Sequence, residues 1–433
     1  MVSFGRNGTL AIFSACLVLS LAVNPAKADD TARSKLACGI CDSFASHMRD
    51  ETGSPFFLRS YEPANGGSAL HPALENVAFV YDNALALMAL YGCGRAAEAR
   101  RIADAFVIAV QRDRFYRDGR LRNAYRSGAV TAGNEGILLP GYWDAAQNKW
   151  IEDGYQVGSA VGSTVWGALA LLTAHDQTGE PAFLDSARRV MSWTTGMNLD
   201  SGNAGFFGGF INHEPQPEKL GWKSTEHNTD VYAAASWMAR IDPEGGWDAD
   251  ADHALSFLDA MWDGSEGRWF VGSVPGSNRP NVATSGLDAL LWPLIAVPPR
   301  ADRADAVLAW TERNHGVPGG FDFNEDRDGI WLEGTAQAAL VYGLLGKPEK
   351  AEPLFATMER EIAPDGLLFA TVNDELTTGL SVGPASEPGD FKYYRLPHVG
   401  ASAWAVLAAL DWNPFMPRGK ASPDQEPACR PKS

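Results

Sequence analysis

Six segments of this chain are apolar on nearly all helical faces, and a fold must surround each of them with protein. They cover residues 81–91, 162–174, 230–238, 286–295, 335–345 and 402–410, and are rich in Ala and Leu with interspersed Trp or Tyr. Runs of this length and composition favour buried helix over buried strand. After each of the first five comes a strong breaker: Gly92-Cys93-Gly94, Gly179-Glu180-Pro181, residues 242–246, Pro298-Pro299 and Gly346-Lys347-Pro348. An amphipathic helix then follows each breaker. Ile102, Phe106 and Ala109 share one face, as do Ala254, Leu258 and Met261, and Leu354, Met358 and Ile362, while Glu352, Glu359 and Arg360 point away. The pattern is an inner helix, a short turn and an outer helix.

The sixth inner segment runs into Asn413-Pro414-Phe415 with no outer helix after it. Residues 35–51 supply the missing partner, with Leu36, Ile40, Phe44 and Met48 at helical spacing. Twelve helices in six hairpins then close a ring through the two chain ends. Pro293, inside the fourth inner segment, works against this reading, because proline removes a helical hydrogen bond. The connections from outer to inner helices are long, roughly 112–160, 199–228, 264–284, 314–333 and 363–400. Since each short turn lies at the opposite end, all the long loops emerge together, where function is expected.

A chain of 433 residues usually divides into domains. No linker or composition break interrupts residues 29–417, so one all-α domain is expected, followed by a disordered tail over 418–433. At the start, Arg6 precedes an apolar run over 10–23 and an Ala26-Lys27-Ala28 site, which reads as a signal peptide over 1–28. That run is short for a membrane span and no second one exists, so a periplasmic or secreted protein without membrane insertion is expected. Loss of Arg6 and Lys27 takes Lys+Arg from 36 to 34 against 53 acids, a net charge of −19. Such a field repels nucleic acid. Cys38, Cys41, Cys93 and Cys429 would remain, an even number that permits disulfides in an oxidising compartment. The Cys38-Gly39-Ile40-Cys41 spacing has no second pair or strand-helix context to make it a metal or redox motif.

The long loops carry many aromatics, among them Trp143, Trp150, Tyr155, Trp222, Trp331, Tyr393 and Tyr394. Flat apolar faces with polar rims suit the C–H faces and hydroxyls of sugars. Acids recur where a loop enters an inner helix: Asp82, Glu226, Asp230, Asp288 and Glu333. Capping and the helix dipole explain one or two of these. Several around one ring point instead to paired carboxylates facing a cleft, the requirement of glycosidic bond cleavage.

The hairpin layout resembles the six-hairpin, (α/α)6-toroid glycosidase superfamily. Tyr81-Asp82-Asn83-Ala84-Leu85-Ala86, Ser224-Thr225-Glu226-His227-Asn228-Thr229-Asp230, Trp331-Leu332-Glu333-Gly334-Thr335, Ser402-Ala403-Trp404 and Asn413-Pro414-Phe415 are similar to a group of bacterial exported or surface proteins with that fold. The resemblance spans most of residues 75–415. It implies a carbohydrate substrate, and since the superfamily includes hydrolases, lyases, phosphorylases and epimerases it leaves the reaction open.

The leading expectation is a cofactor-free inverting glycoside hydrolase. Glu226 would be the general acid and Asp82 or Glu333 the base, with Tyr81, Trp143, Trp222, His227, Asn228, Asp230, Asp288, Trp331, Tyr394 and His398 holding substrate. A polysaccharide lyase or sugar epimerase on the same fold is the alternative, with His398 and Tyr394 moving the proton and Arg122, Arg126, Lys223 or Arg395 meeting a uronate carboxylate. A third reading is a non-catalytic glycan-binding protein of an exopolysaccharide system. Asp322, Asn324, Asp326 and Asp328 alternate before Gly329, but Thr335 stands where a calcium loop counted from Asn324 needs its twelfth-position carboxylate. No metal is expected there. Phosphate-binding, metalloprotease and Gly-x-Ser-x-Gly motifs are missing from the sequence.

Overall fold

A computed structural model describes residues 26–49, 53–64, 69–131, 133, 136–197, 204–380, 391–419 and 429. Of the expected signal peptide, residues 1–25 lie outside the described residues. Residues 26–28 open the first helix.

The described residues contain twelve α-helices. The inner set is α2 (Val80–Gly92), α4 (Val161–Thr178), α6 (Thr225–Ile241), α8 (Leu287–Ala296), α10 (Leu332–Leu344) and α12 (Val399–Ala409). The outer set is α1 (Ala26–His47), α3 (Ala96–Gln111), α5 (Pro181–Thr195), α7 (Trp247–Ala260), α9 (Ala304–Asn314) and α11 (Pro348–Arg360). Each inner helix packs on the next, and α12 returns to α2 while α1 lies against α12. The ring therefore closes through the chain ends, as the hydrophobic pattern predicts. The fold is all-α; the strands are short antiparallel ribbons within the long loops. No described helix is long and apolar enough to cross a membrane.

Pro293 does not end α8. The helix runs on to Ala296, and the Val297 N–H donates to the Pro293 carbonyl at 3.1 Å. Proline in a helix interior costs about 3 kcal/mol, from the lost hydrogen bond and the ring's clash with the preceding turn. Burial of Leu290, Leu291, Trp292 and Leu294 more than offsets it, at roughly 1.5–3 kcal/mol per large apolar side chain.

The cysteines pair as Cys38–Cys429 and Cys41–Cys93, so the two halves of the Cys38/Cys41 spacing leave α1 for different partners. Cys41–Cys93 ties α1 to the α2–α3 turn. Cys429 is buried and fastens the C-terminal segment to α1. The rest of the tail beyond Gly419 lies outside the described residues.

Candidate active site

Because every inner helix is entered from a long loop, all six inner N-termini point to one end of the ring. A cavity of about 480 Å³ opens there, within the size range of small-molecule sites. Asp82 and Glu333 stand in the first turns of α2 and α10, and Glu226 and Asp288 in those of α6 and α8. All four acids line the cavity, with His227 on α6 and His398 at the N-cap of α12. Tyr61, Tyr81, Tyr155, Trp166, Trp222, Trp292, Trp331 and Tyr393 supply its aromatic walls.

The acids form two groups. In the first, the Tyr81 hydroxyl donates to Glu333 Oε1 at 2.5 Å and accepts from Trp404 Nε1 at 2.7 Å. His398 Nδ1 accepts from the Ala401 N–H at 3.3 Å, so in the neutral ring the proton sits on Nε2, which faces Asp82 Oδ2 across 3.3 Å. Glu333 Oε2 lies 3.7 Å from His398 Nδ1, and the Tyr61 ring stacks on the imidazole at 4.4 Å. Burial by itself would lower the His398 pKa, but the Asp82 charge and hydrogen bond raise it above its ordinary value. Burial pushes Glu333 up to about 7, although His398 and Tyr81 pull the other way.

Convergence of this group depends on Gly400. A Cβ there would lie 2.7 Å from Asp82 Oδ1, 2.8 Å from His398 Cε1 and 3.1 Å from Glu333 Oε2. Gly162 plays the same part opposite, since a Cβ on it would lie 2.3 Å from His227 Cδ2.

In the second group, Glu226 is hydrogen-bonded to Asp288, so one proton is shared between two carboxyls. Burial and then the Asp288 charge raise Glu226 well above the usual carboxyl range. Asp288 is pushed up to about 6 by burial, with the Ala289 N–H donating to its Oδ1 at 2.7 Å. Both carboxyls of the pair are thus shifted toward the protonated form. Asp230, one turn further along α6, is fully buried with both oxygens unpartnered, and burial raises it well above its ordinary value too. Burial lowers His227 to about 4, leaving a neutral imidazole with Nδ1 unpartnered.

Four expected contact residues do not reach the cavity. Asn228 is spent on the backbone: its Oδ1 accepts from Phe206 N at 2.7 Å and its Nδ2 donates to Ser224 O at 2.8 Å. Asp230 lies beneath the lining. Trp143 sits 58% exposed on a ribbon opposite Trp150, outside the cavity. Tyr394 is displaced by its neighbour Tyr393, because alternate residues of a strand face opposite ways. Tyr81, Trp222, His227, Asp288, Trp331 and His398 do line it. Sequence reasoning missed Tyr61, Ser163, Trp166 and Trp292; the two tryptophans are indistinguishable in sequence from other core positions.

Of the four cations weighed for a uronate, only Lys223 lines the cavity. Arg122 is buried against Asp113 at 2.6 Å and Glu214 at 2.9 Å, Arg395 pairs with Glu361 at 2.8 Å, and Arg126 lies over Trp150.

The raised carboxyls set a pH dependence of stability. In an unfolded chain Asp and Glu titrate near 4, so folding favours their neutral forms. The stability they add is complete below about pH 4 and is lost as pH rises through about 6 for Asp288 and about 7 for Glu333. His227 has the opposite sign: its contribution is complete above about pH 6.5 and is lost as pH falls through about 4. Between pH 8 and 6.5 the carboxyls act together with His398, whose raised pKa adds a contribution of the same sign. The melting temperature should rise as pH is lowered across that window, and Glu333→Gln should flatten the rise. A melting temperature that falls over the same window sinks this account.

No protein-family model matches this sequence, and no curated protein matches it. Solved structures share the fold at low identity. A glycosidase in complex with glucose is 14% identical, with a TM-score of 0.61 over 89% of this chain and 98% of that one. A cellobiose 2-epimerase from Bacillus thermoamylovorans is 10% identical, at 0.60 over 88% and 99%. A cellobiose 2-epimerase from Spirochaeta thermophila is 14% identical, at 0.57 over 90% and 98%. These likenesses establish the fold as an (α/α)6 toroid of six helical hairpins.

Proposed function

We propose that this protein is an exported carbohydrate-active enzyme that hydrolyses a glycosidic bond with inversion. The observation that carries the reading is the pairing of two carboxyl groups in one aromatic-walled cavity. Glu226 holds a proton against Asp288, and Asp82 faces a histidine. Glu226 protonates the glycosidic oxygen as its bond to the anomeric carbon breaks. Asp82 takes the proton of a water that attacks the other face of the sugar. His398 holds Asp82, and Glu333, tied to Tyr81, borders the same water. The aromatic walls fit the C–H faces of a pyranose. The fold is one on which glycosidases are built, and the two disulfides suit an oxidising compartment.

One observation favours a second reading. His227 and His398 line the same cavity, and His227 is neutral with Nδ1 unpartnered. Such a pair suits a sugar epimerase, in which one base removes the proton beside the carbonyl of an open-chain sugar and another acid returns it on the opposite face.

Incubation of the mature protein with an oligosaccharide panel separates the readings by mass spectrometry. Hydrolysis in 18O-water adds a labelled oxygen at each new reducing end. Epimerisation in D2O gives products of unchanged composition carrying one carbon-bound deuterium. Absence of both, across a panel that includes a tightly bound glycan, would remove catalysis and leave a glycan-binding toroid.

A further inference from the structure

Beside the cavity, the loop over 322–331 carries Asp322, Asp326 and Asp328 into α10. One carboxylate oxygen of each lies within 4.8 Å of the others. Asp326 and Asp328 are exposed, and acids at a surface need no ion. Asp322 differs. It is 0% exposed; its Oδ1 accepts from the Phe323 N–H at 2.7 Å, and its Oδ2 has no partner. A buried carboxylate oxygen without donor or counter-charge is costly. Among the described residues, no Lys, Arg or His pairs with any of the three acids.

We propose that Asp322, Asp326 and Asp328 bind one calcium ion. The donors are hard carboxylate oxygens, and their spread can be bridged by one ion with ligand distances of roughly 2.3–2.6 Å. This is not the twelve-residue loop whose last carboxylate the sequence lacks. The buried Asp322 provides instead an anchoring ligand from inside the fold. The ion would also fasten two loops together. The Thr377 hydroxyl lies 2.8 Å from Asp326 Oδ2 and 2.7 Å from Asp328 Oδ2, and the Thr377 N–H donates to Asp328 Oδ2 at 3.1 Å. Trp331 and Tyr393, which belong to those two loops, meet at 5.5 Å in the cavity wall. Calcium would hold that corner of the mouth.

The test titrates calcium chloride into the chelator-treated mature protein, by calorimetry and by native mass spectrometry. The expected result is one calcium per chain with a Kd between roughly 10 µM and 1 mM, and a melting temperature higher by about 2–5 °C at saturation. Asp322→Asn should weaken binding at least tenfold. Because that residue is buried, the exposed double variant Asp326→Asn/Asp328→Asn, with unchanged circular dichroism, should do the same. No calcium bound at about 5 mM, or unaltered affinity in the double variant, overturns the proposal. The first outcome would mean that Asp322 meets its burial cost by keeping a proton.

Discussion

Glu226→Gln should lower kcat for glycoside hydrolysis by roughly 10²–10⁴-fold while leaving KM within a few-fold. The side chain keeps its volume and can still hydrogen-bond Asp288, so the cavity is preserved. What is lost is the carboxyl proton, which burial and the Asp288 charge make harder to remove than in an ordinary glutamic acid. The loss should be smallest for substrates whose leaving group needs no protonation, such as aryl glycosides with an acidic phenol. The alkaline limb of the native pH–rate profile should lie above the range of an ordinary carboxyl, and should vanish in the variant. Uniform loss across good and poor leaving groups would show that Glu226 is not the acid.

Asp82→Asn should cost a similar roughly 10²–10⁴-fold in turnover, through the other half of the reaction. An amide cannot take the proton from water, but an anion that needs no deprotonation can still attack. Added azide should therefore restore turnover on an activated substrate and give a glycosyl azide of inverted configuration. Rescue separates a base from a residue that merely supports the site. A second signature lies in His398, whose pKa is raised chiefly by Asp82 against the effect of burial. Its titration, followed by NMR, should move down in the variant. Failure of azide rescue, together with full activity in Glu226→Gln, would favour the histidine-based epimerase.

Much of this architecture is legible in the sequence because it rests on local periodicity. A helix apolar all round must be inner, and a breaker followed by an amphipathic run must be a short turn and an outer helix. Alternating short and long connections then place all long loops at one end. Even the pairing of α1 with α12 follows from counting an unmatched inner helix. Pro293 is the instructive exception: local propensity argued against a helix that burial of its neighbours maintains.

The site was legible only in outline. Acids in the first turns of inner helices were identifiable, because the position of a first turn relative to the ring follows from the pattern. Contacts made by loops were not. Tyr393 rather than Tyr394 faces the cavity because of a strand register that one residue would reverse. Trp143 turns outward on its ribbon, and Asn228 is consumed by the Phe206 backbone.

The sequence alone thus determined six hairpins, a closed ring, its loop-bearing end and the acids Asp82, Glu226, Asp288 and Glu333 around it. Only the tertiary structure decided which acids share a proton, which faces a histidine, how the four cysteines pair and that Asp322 is buried. The reason is physical. Periodicity is a property of neighbours along the chain, whereas proton affinity and ion binding depend on burial and charge contributed by residues hundreds of positions away, as Tyr81 meets Glu333 and Trp404.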